Sequence, residues 1–185
     1  MVNSDIKTFQ EISKSVFEEF SSLNSEQLNF KANPNEWSIA QCLDHLIVSN
    51  EKYFPELQKI HAKNYKMTFW ERNNPFSKKI GRQMIQNLGP VVSKKYVSPK
   101  IFQPGKSTIR ISIVSDFVQH QNKLIDLIKS ISPEQYNKLK ISSPVAALIT
   151  FSLAGLIQLL LAHEQRHLEQ MRRVKNELKN WPHNL

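Results

Sequence analysis

Apolar residues recur every three or four positions in four separate stretches of this chain, the spacing of one buried face of an α-helix. The first stretch, between Asn3 and Ser22, carries Ile6, Phe9, Ile12, Val16, Phe17 and Phe20. The second opens after PNEWS with Ser38 as a natural N-cap and carries Ile39, Leu43, Leu46, Ile47, Phe54 and Leu57, with Pro55 expected to kink it late. The third uses Ile113, Phe117, Leu124, Leu127, Ile128 and Ile131 and ends before Ser132-Pro133. The fourth is expected from about Ser152 to Lys179, with Leu156, Leu160, Val174 and Leu178 in one stripe. Between the second and third, from about residue 65 to 110, NNP, LGP, VSP and QPG punctuate the chain and only SKKIGRQMIQNL reads as helix. The expected fold is all-α, a four-helix bundle with a long crossover between helices 2 and 3, which frees those two from having to be antiparallel neighbours.

Composition narrows the function classes. A chain of 185 residues with 40% hydrophobic content suits one domain over residues 1–185. Four glycines are too few for a turn-dense β architecture or a Gly-rich phosphate loop. The single cysteine, Cys42, rules out an intramolecular disulfide framework and a Cys-based zinc cluster. The opening MVNSDIKTFQEI lacks the charged and apolar regions of a signal peptide, so a cytoplasmic location is expected. PVAALITFSLAGLIQLLLA, residues 144 to 162, approaches the length of a membrane span, but Thr150, Ser152, Gly155 and Gln158 interrupt it and it runs directly into HEQRH. We read it as a buried segment entering a core helix, and expect no membrane partner.

The net charge of +9 is concentrated. Lys78, Lys79, Arg82, Lys94, Lys95, Lys100, Lys106 and Arg110 lie between Ser77 and Arg110 with no acidic residue among them. This is either a solvated loop or an electropositive rim for an anionic small molecule or nucleic acid. No helix-turn-helix, zinc finger or ribonucleoprotein pattern accompanies it, so nucleic acid is not the expected partner.

The chemistry-bearing motif is His163-Glu164-x-x-His167, which matches the spelling of a zinc-protease helix. With His163 at zero on a helical wheel, Leu156 falls near roughly +20°, Leu160 near +60°, His167 near +40° and Val174 near +20°, so both histidines share the apolar stripe. Two imidazoles one turn apart aim at one point, and an unpaired buried ring costs on the order of 1–3 kcal/mol, so metal ligation is the favoured reading. The extended protease motif fails: Gln170 holds its glycine position and Arg173 its last histidine position. Glu169, Glu177 and His183 are the downstream candidates for a third ligand, and the two glutamates continue the same helix. Glu164 sits at the margin of the stripe, where a solvated or second-shell role is expected. Upstream, His120 lies about 20° from Ile113 inside the third stripe, whereas His45 lies roughly 120° from the apolar centre of helix 2; periodicity alone favours His120.

NEWSIAQCLDHLIVSNEKYF followed late in the chain by LLLAHEQRHLEQMRRV resembles the DinB-like superfamily of four-helix bundles, and the likeness extends over nearly the whole chain. Its carriers are Trp37-Ser38 with His45 seven positions after the serine, and the H-x-x-x-H pair. The resemblance implies a divalent metal, zinc or nickel foremost, held by His45, His163 and His167, with Glu164 at a variable position between ligands. Three imidazoles leave such an ion an open position for water or a thiol. The resemblance further implies a thiol S-transferase that joins a low-molecular-weight thiol to an electrophile; charge alone makes the basic crossover the candidate to bind the thiol's carboxylates. The alternatives are a metal-dependent hydrolase and a non-enzymatic stress-related binding protein. A second copy of the chain is an expected partner. His120 is left between a pocket residue and a buried hydrogen-bonded one, and Cys42 between a reactive thiol or ligand and a small buried hydrophobe.

Overall fold

The computed structural model describes residues 2–31, 33–89, 99–105 and 108–178, with the Lys100 side chain excepted. The four expected helices are present as α1 (Val2–Phe20), α3 (Ile39–Glu51), α7 (Ile113–Lys129) and α9 (Leu153–Leu178). Short helices lie between them: α2 (Ser25–Asn29), α4 (Phe54–His61), α5 (Phe69–Asn73), α6 (Ser77–Leu88) and α8 (Pro133–Lys138).

α1 packs against α7 and α9, and α3 packs against the same two, so the first two long helices sit diagonally across the bundle. The crossover therefore delivers the chain from α3 to α7, which are packed neighbours. Phe9, Phe20, Leu43, Leu46, Phe117, Leu124, Leu156 and Ile157 fill the middle with no solvent exposure. Phe17, although in register with the α1 pattern, is 54% exposed.

α3 begins where its residues dictate. The Ser38 hydroxyl accepts from the Gln41 backbone N–H at 3.1 Å while the Gln41 side chain accepts from the Ser38 N–H at 3.3 Å, a reciprocal cap worth about 1 kcal/mol. Pro55 does not kink a continuing helix. α3 stops at Glu51, and Pro55 lies in the first turn of the separate α4, where its missing N–H breaks no intrahelical bond.

The segment before α9 is not one buried run. Strands β1 (Lys140–Ser142) and β2 (Thr150–Ser152) pair antiparallel with Ile141 opposite Phe151, and the connection exposes Val145 and Leu148. Only Ile141, Thr150 and Phe151 of this hairpin are fully buried. No described helix is long and apolar enough to cross a membrane.

Polar pins set the helix registers. Asp5 of α1, only 5% exposed, accepts from the Tyr136 hydroxyl and the Gln158 amide, both at 2.6 Å, and so joins α1, α8 and α9. Asp5→Ala strands the buried Tyr136 hydroxyl, while the Gln158 amide can turn to water, and is expected to lower unfolding stability by about 1–3 kcal/mol, read from urea denaturation, whereas Lys7→Ala at the exposed neighbouring face changes it by under about 0.5 kcal/mol.

Candidate metal centre

His45 lies midway along α3, and His163 and His167 stand one turn apart on α9. Packing of α3 on α9 brings their three rings together. Nε2 of His163 is 3.1 Å from Nε2 of His45 and 3.1 Å from Nε2 of His167. Ligand-capable nitrogens of all three fall within 4.8 Å of one another. The rings meet edge to face, with centroids 4.7–4.9 Å apart and interplanar angles of 67–88°. Bonds of about 2.0–2.1 Å to one tetrahedral ion would hold nitrogens about 3.3 Å apart, so the spacing suits a single small cation.

Protonation follows from the partners. The Phe102 carbonyl lies 2.5 Å from Nδ1 of His45, and a carbonyl can only accept. The ring proton is therefore on Nδ1, and Nε2 turns a lone pair toward the other two histidines. Burial pushes His163 down to about 3, aided by the neighbouring His45 and Arg166 charges. It likewise holds His167 well below the ordinary histidine range, with His163, His45 and Arg166 adding to the effect. His45 is lowered by burial, against an upward pull from the Phe102 carbonyl and Asp44. All three rings are neutral near pH 7, the form that donates to a metal.

Trp37 walls the cluster, its ring 4.6 Å from that of His45 and stacked at 5.8 Å over that of His167. Ser38 caps the helix that carries His45, so the tryptophan is held at a defined helix entrance. The crossover forms another wall. Its 3-10 turn, Lys100–Phe102, supplies the carbonyl on His45, and the Gly105 N–H donates to Asp44 at 2.9 Å. A groove lined by Thr8, Ser15, Gln165 and Glu169 lies on the opposite side of α9 and contains none of the three histidines.

Of the expected site residues, the structure gathers His45, His163 and His167, and among the described residues none of the other candidates joins the group. His45 is 3% exposed, although the helical wheel places it off the apolar face. The wheel misleads because α3 is packed by α2, α4, α7, α9 and the crossover turn and so has hardly any solvent side. Glu164 is not marginal: it is fully buried and bonded through Oε1 to the Asn50 amide at 2.8 Å and through Oε2 to the Gln121 amide at 2.7 Å. With both oxygens engaged in the core it cannot act as a protease base. His120 is buried and stacked on Phe54 at 4.9 Å, and its Nε2 has no hydrogen-bond partner among the described residues. Cys42 is fully buried and its thiol is pushed far above the usual range by burial, so it behaves as a hydrophobe. Lys94, Lys95, Lys106 and His183 lie outside the described residues, and Arg110 is engaged by Asp116 at 3.1 Å.

A mostly helical bundle enclosing a three-histidine cluster defines the class of protein. The sequence profile of the DinB superfamily matches residues 9–171, and the chain belongs to that superfamily. No curated protein matches it. Among solved structures it is similar to YfiT from Bacillus subtilis, described as "a probable metal-dependent hydrolase with an unusual four-helix bundle topology", at 11% identity. That match covers 98% of this chain and 89% of the other, with a TM-score of 0.54, a likeness of fold.

Sequence reasoning missed the Phe102 carbonyl and the amides of Asn50 and Gln121, since none of them belongs to a motif. The i, i+5 step from His45 to Asn50 on α3 is the one local signal that could have suggested the last contact. Burial drives His120 down to about 4 from an ordinary 6.5, with Lys123 adding to the effect. The unfolded chain therefore takes up a proton that the folded one refuses as pH falls from 6.5 toward 4. Replacement by leucine, His120→Leu, should shift relative stability in the variant's favour by roughly 3 kcal/mol across that window, measured by urea unfolding at a series of pH values.

Proposed function

We propose that His45, His163 and His167 hold one divalent ion, zinc or nickel, and that the chain is a metal-dependent transferase that activates a low-molecular-weight thiol toward an electrophile. The observation that carries the metal reading is the convergence of three neutral Nε2 atoms, one of them pre-aimed by the Phe102 carbonyl. Two bare acceptor nitrogens 3.1 Å apart repel unless a proton or cation lies between them. Three protein ligands leave a fourth position open, and an ion bound there would act as a Lewis acid that stabilises an anionic nucleophile.

The remaining work falls to the chain's own groups. Trp37 stacks on the His167 ring and lies tilted against that of His45, so it limits their rotation and shields one side from water. Arg166 places positive charge near His163 and His167, where it favours an anionic substrate group over a cationic one. The thiol preference is drawn from the family resemblance. The YfiT likeness favours a second reading, metal-dependent hydrolysis at the same cluster.

Elemental analysis of the purified protein separates the levels. The wild type should carry about one divalent ion per chain, and His45→Ala, His163→Ala and His167→Ala should each weaken its retention by at least about tenfold. Unchanged metal content in all three variants would sink the ligand assignment. With metal restored, consumption of bacillithiol, mycothiol or glutathione against a chlorinated aromatic acceptor supports the transferase; ester or amide hydrolysis without thiol supports the second reading. Metal loading that raises the melting temperature with neither activity supports a binding protein.

A further inference from the structure

Helix α5 turns a phenylalanine outward. Phe69 is 82% exposed, and Trp70 beside it is 40% exposed. In the hairpin connection, Leu148 is 70% and Val145 50% exposed. Hydrogen bonds hold these two segments together. Nε1 of Trp70 donates to the Leu148 carbonyl at 2.8 Å, and Nζ of Lys140 donates to the Asn74 carbonyl at 2.9 Å. Glu71, buried at 4% exposure, accepts from both the N–H and the hydroxyl of Ser142 at 2.8 Å. Helical residues are separated by about 100°, so a Glu71 directed inward leaves Phe69, about 160° away, directed out. The exposure of Phe69 is thus enforced by a polar anchor on the opposite face of the same turn.

The charge around this cluster has one sign. Lys63, Lys66, Arg72, Lys78, Lys79 and Arg82 are all exposed, and between Lys63 and Arg82 the acidic residue is the buried Glu71. Residues 139–152 contain no acidic side chain. A second copy meeting the same face across a twofold axis would set these cations against each other. Nucleic-acid bases would stack on Phe69 and Trp70 but gain little from Val145 and Leu148. Exposed aliphatic and aromatic side chains on segments rich in exposed lysine and arginine match one occupant best, an anionic lipid surface with hydrocarbon beneath its phosphates.

We propose that this face docks the protein onto an anionic membrane surface, with Phe69, Val145 and Leu148 entering the headgroup boundary, Trp70 at the interface and the surrounding cations on lipid phosphates. A chain without a spanning helix can lie on a membrane in this way, reversibly and with strong dependence on salt. The contact is independent of the histidine cluster.

Sedimentation of the full chain with vesicles of equimolar phosphatidylglycerol and phosphatidylcholine tests it against vesicles of phosphatidylcholine alone. Binding to the anionic vesicles only, weakened about tenfold or more by the double variant Lys78→Glu/Lys79→Glu and by Phe69→Ser, is the expected result. Lipids with brominated acyl chains should quench the wild type more than Trp70→Phe. Both variants change exposed side chains, and unchanged helical circular dichroism and metal content confirm that they fold. Absence of sedimentation, equal binding to neutral vesicles, or full binding by both variants overturns the proposal. So does self-association abolished by Phe69→Ser, which assigns the face to a second copy, or tight DNA binding without lipid binding, which assigns it to nucleic acid.

Discussion

One carboxyl group, that of Glu164, is bonded at the same point to α3 through Asn50 and to α7 through Gln121, while it belongs to α9. Three of the four long helices are thereby tied together inside the core, where the group has no solvent contact. Burial raises Glu164 to about 8, against the downward pull of the two amide hydrogen bonds. An apolar core alone tolerates small slides of one helix along another. A buried acid with two directional partners does not, because any slide by a fraction of a turn leaves unpaired polar groups in a low-dielectric interior.

That constraint sets up the histidine cluster. Glu164 directly follows His163, and Asn50 stands five residues after His45 on the facing helix. The pin that fixes α3 against α9 therefore fixes the two sources of imidazole against each other. The crossover finishes the arrangement by placing the Phe102 carbonyl on His45, which selects the tautomer. A segment that reads as a string of prolines and lysines thus orients a ring on a distant helix through a backbone atom.

α3 and α7 are packed neighbours, yet the chain between them has room for α4, α5 and α6 before it reaches the 3-10 turn beside His45. α6 packs along α9 and α5 is latched to the hairpin, so the crossover is a covering layer fastened by Glu71, Asn74 and Ser77. Its one-sided charge and exposed aromatics are consequences of where it lies, on the outside of a bundle whose inside is already full.

Much of the bundle was legible from local rules. Apolar spacing located α1, α7 and α9 to within a few residues, and the start of α3 but not its end, because a helix in a two-layer packing must repeat every 3.6 residues to bury one face. Ser38 marked its helix start because an orphan N–H needs an oxygen whatever the tertiary context. The His163 and His167 pair was readable for the same reason: one turn of one helix decides it. His45 was not readable from periodicity, and neither was the burial of Glu164, since both depend on how many neighbours crowd a helix. The hairpin was hidden because a short apolar run has no period of its own, and its strands are decided by partners nearly ten residues apart. Sequence by itself determined the four long helices and which residues could bind a metal. Tertiary structure alone decided which histidine joined the pair, which acid was sealed in the core and which aromatics were left outside, because convergence and burial are properties of packed neighbours and no single helix encodes them.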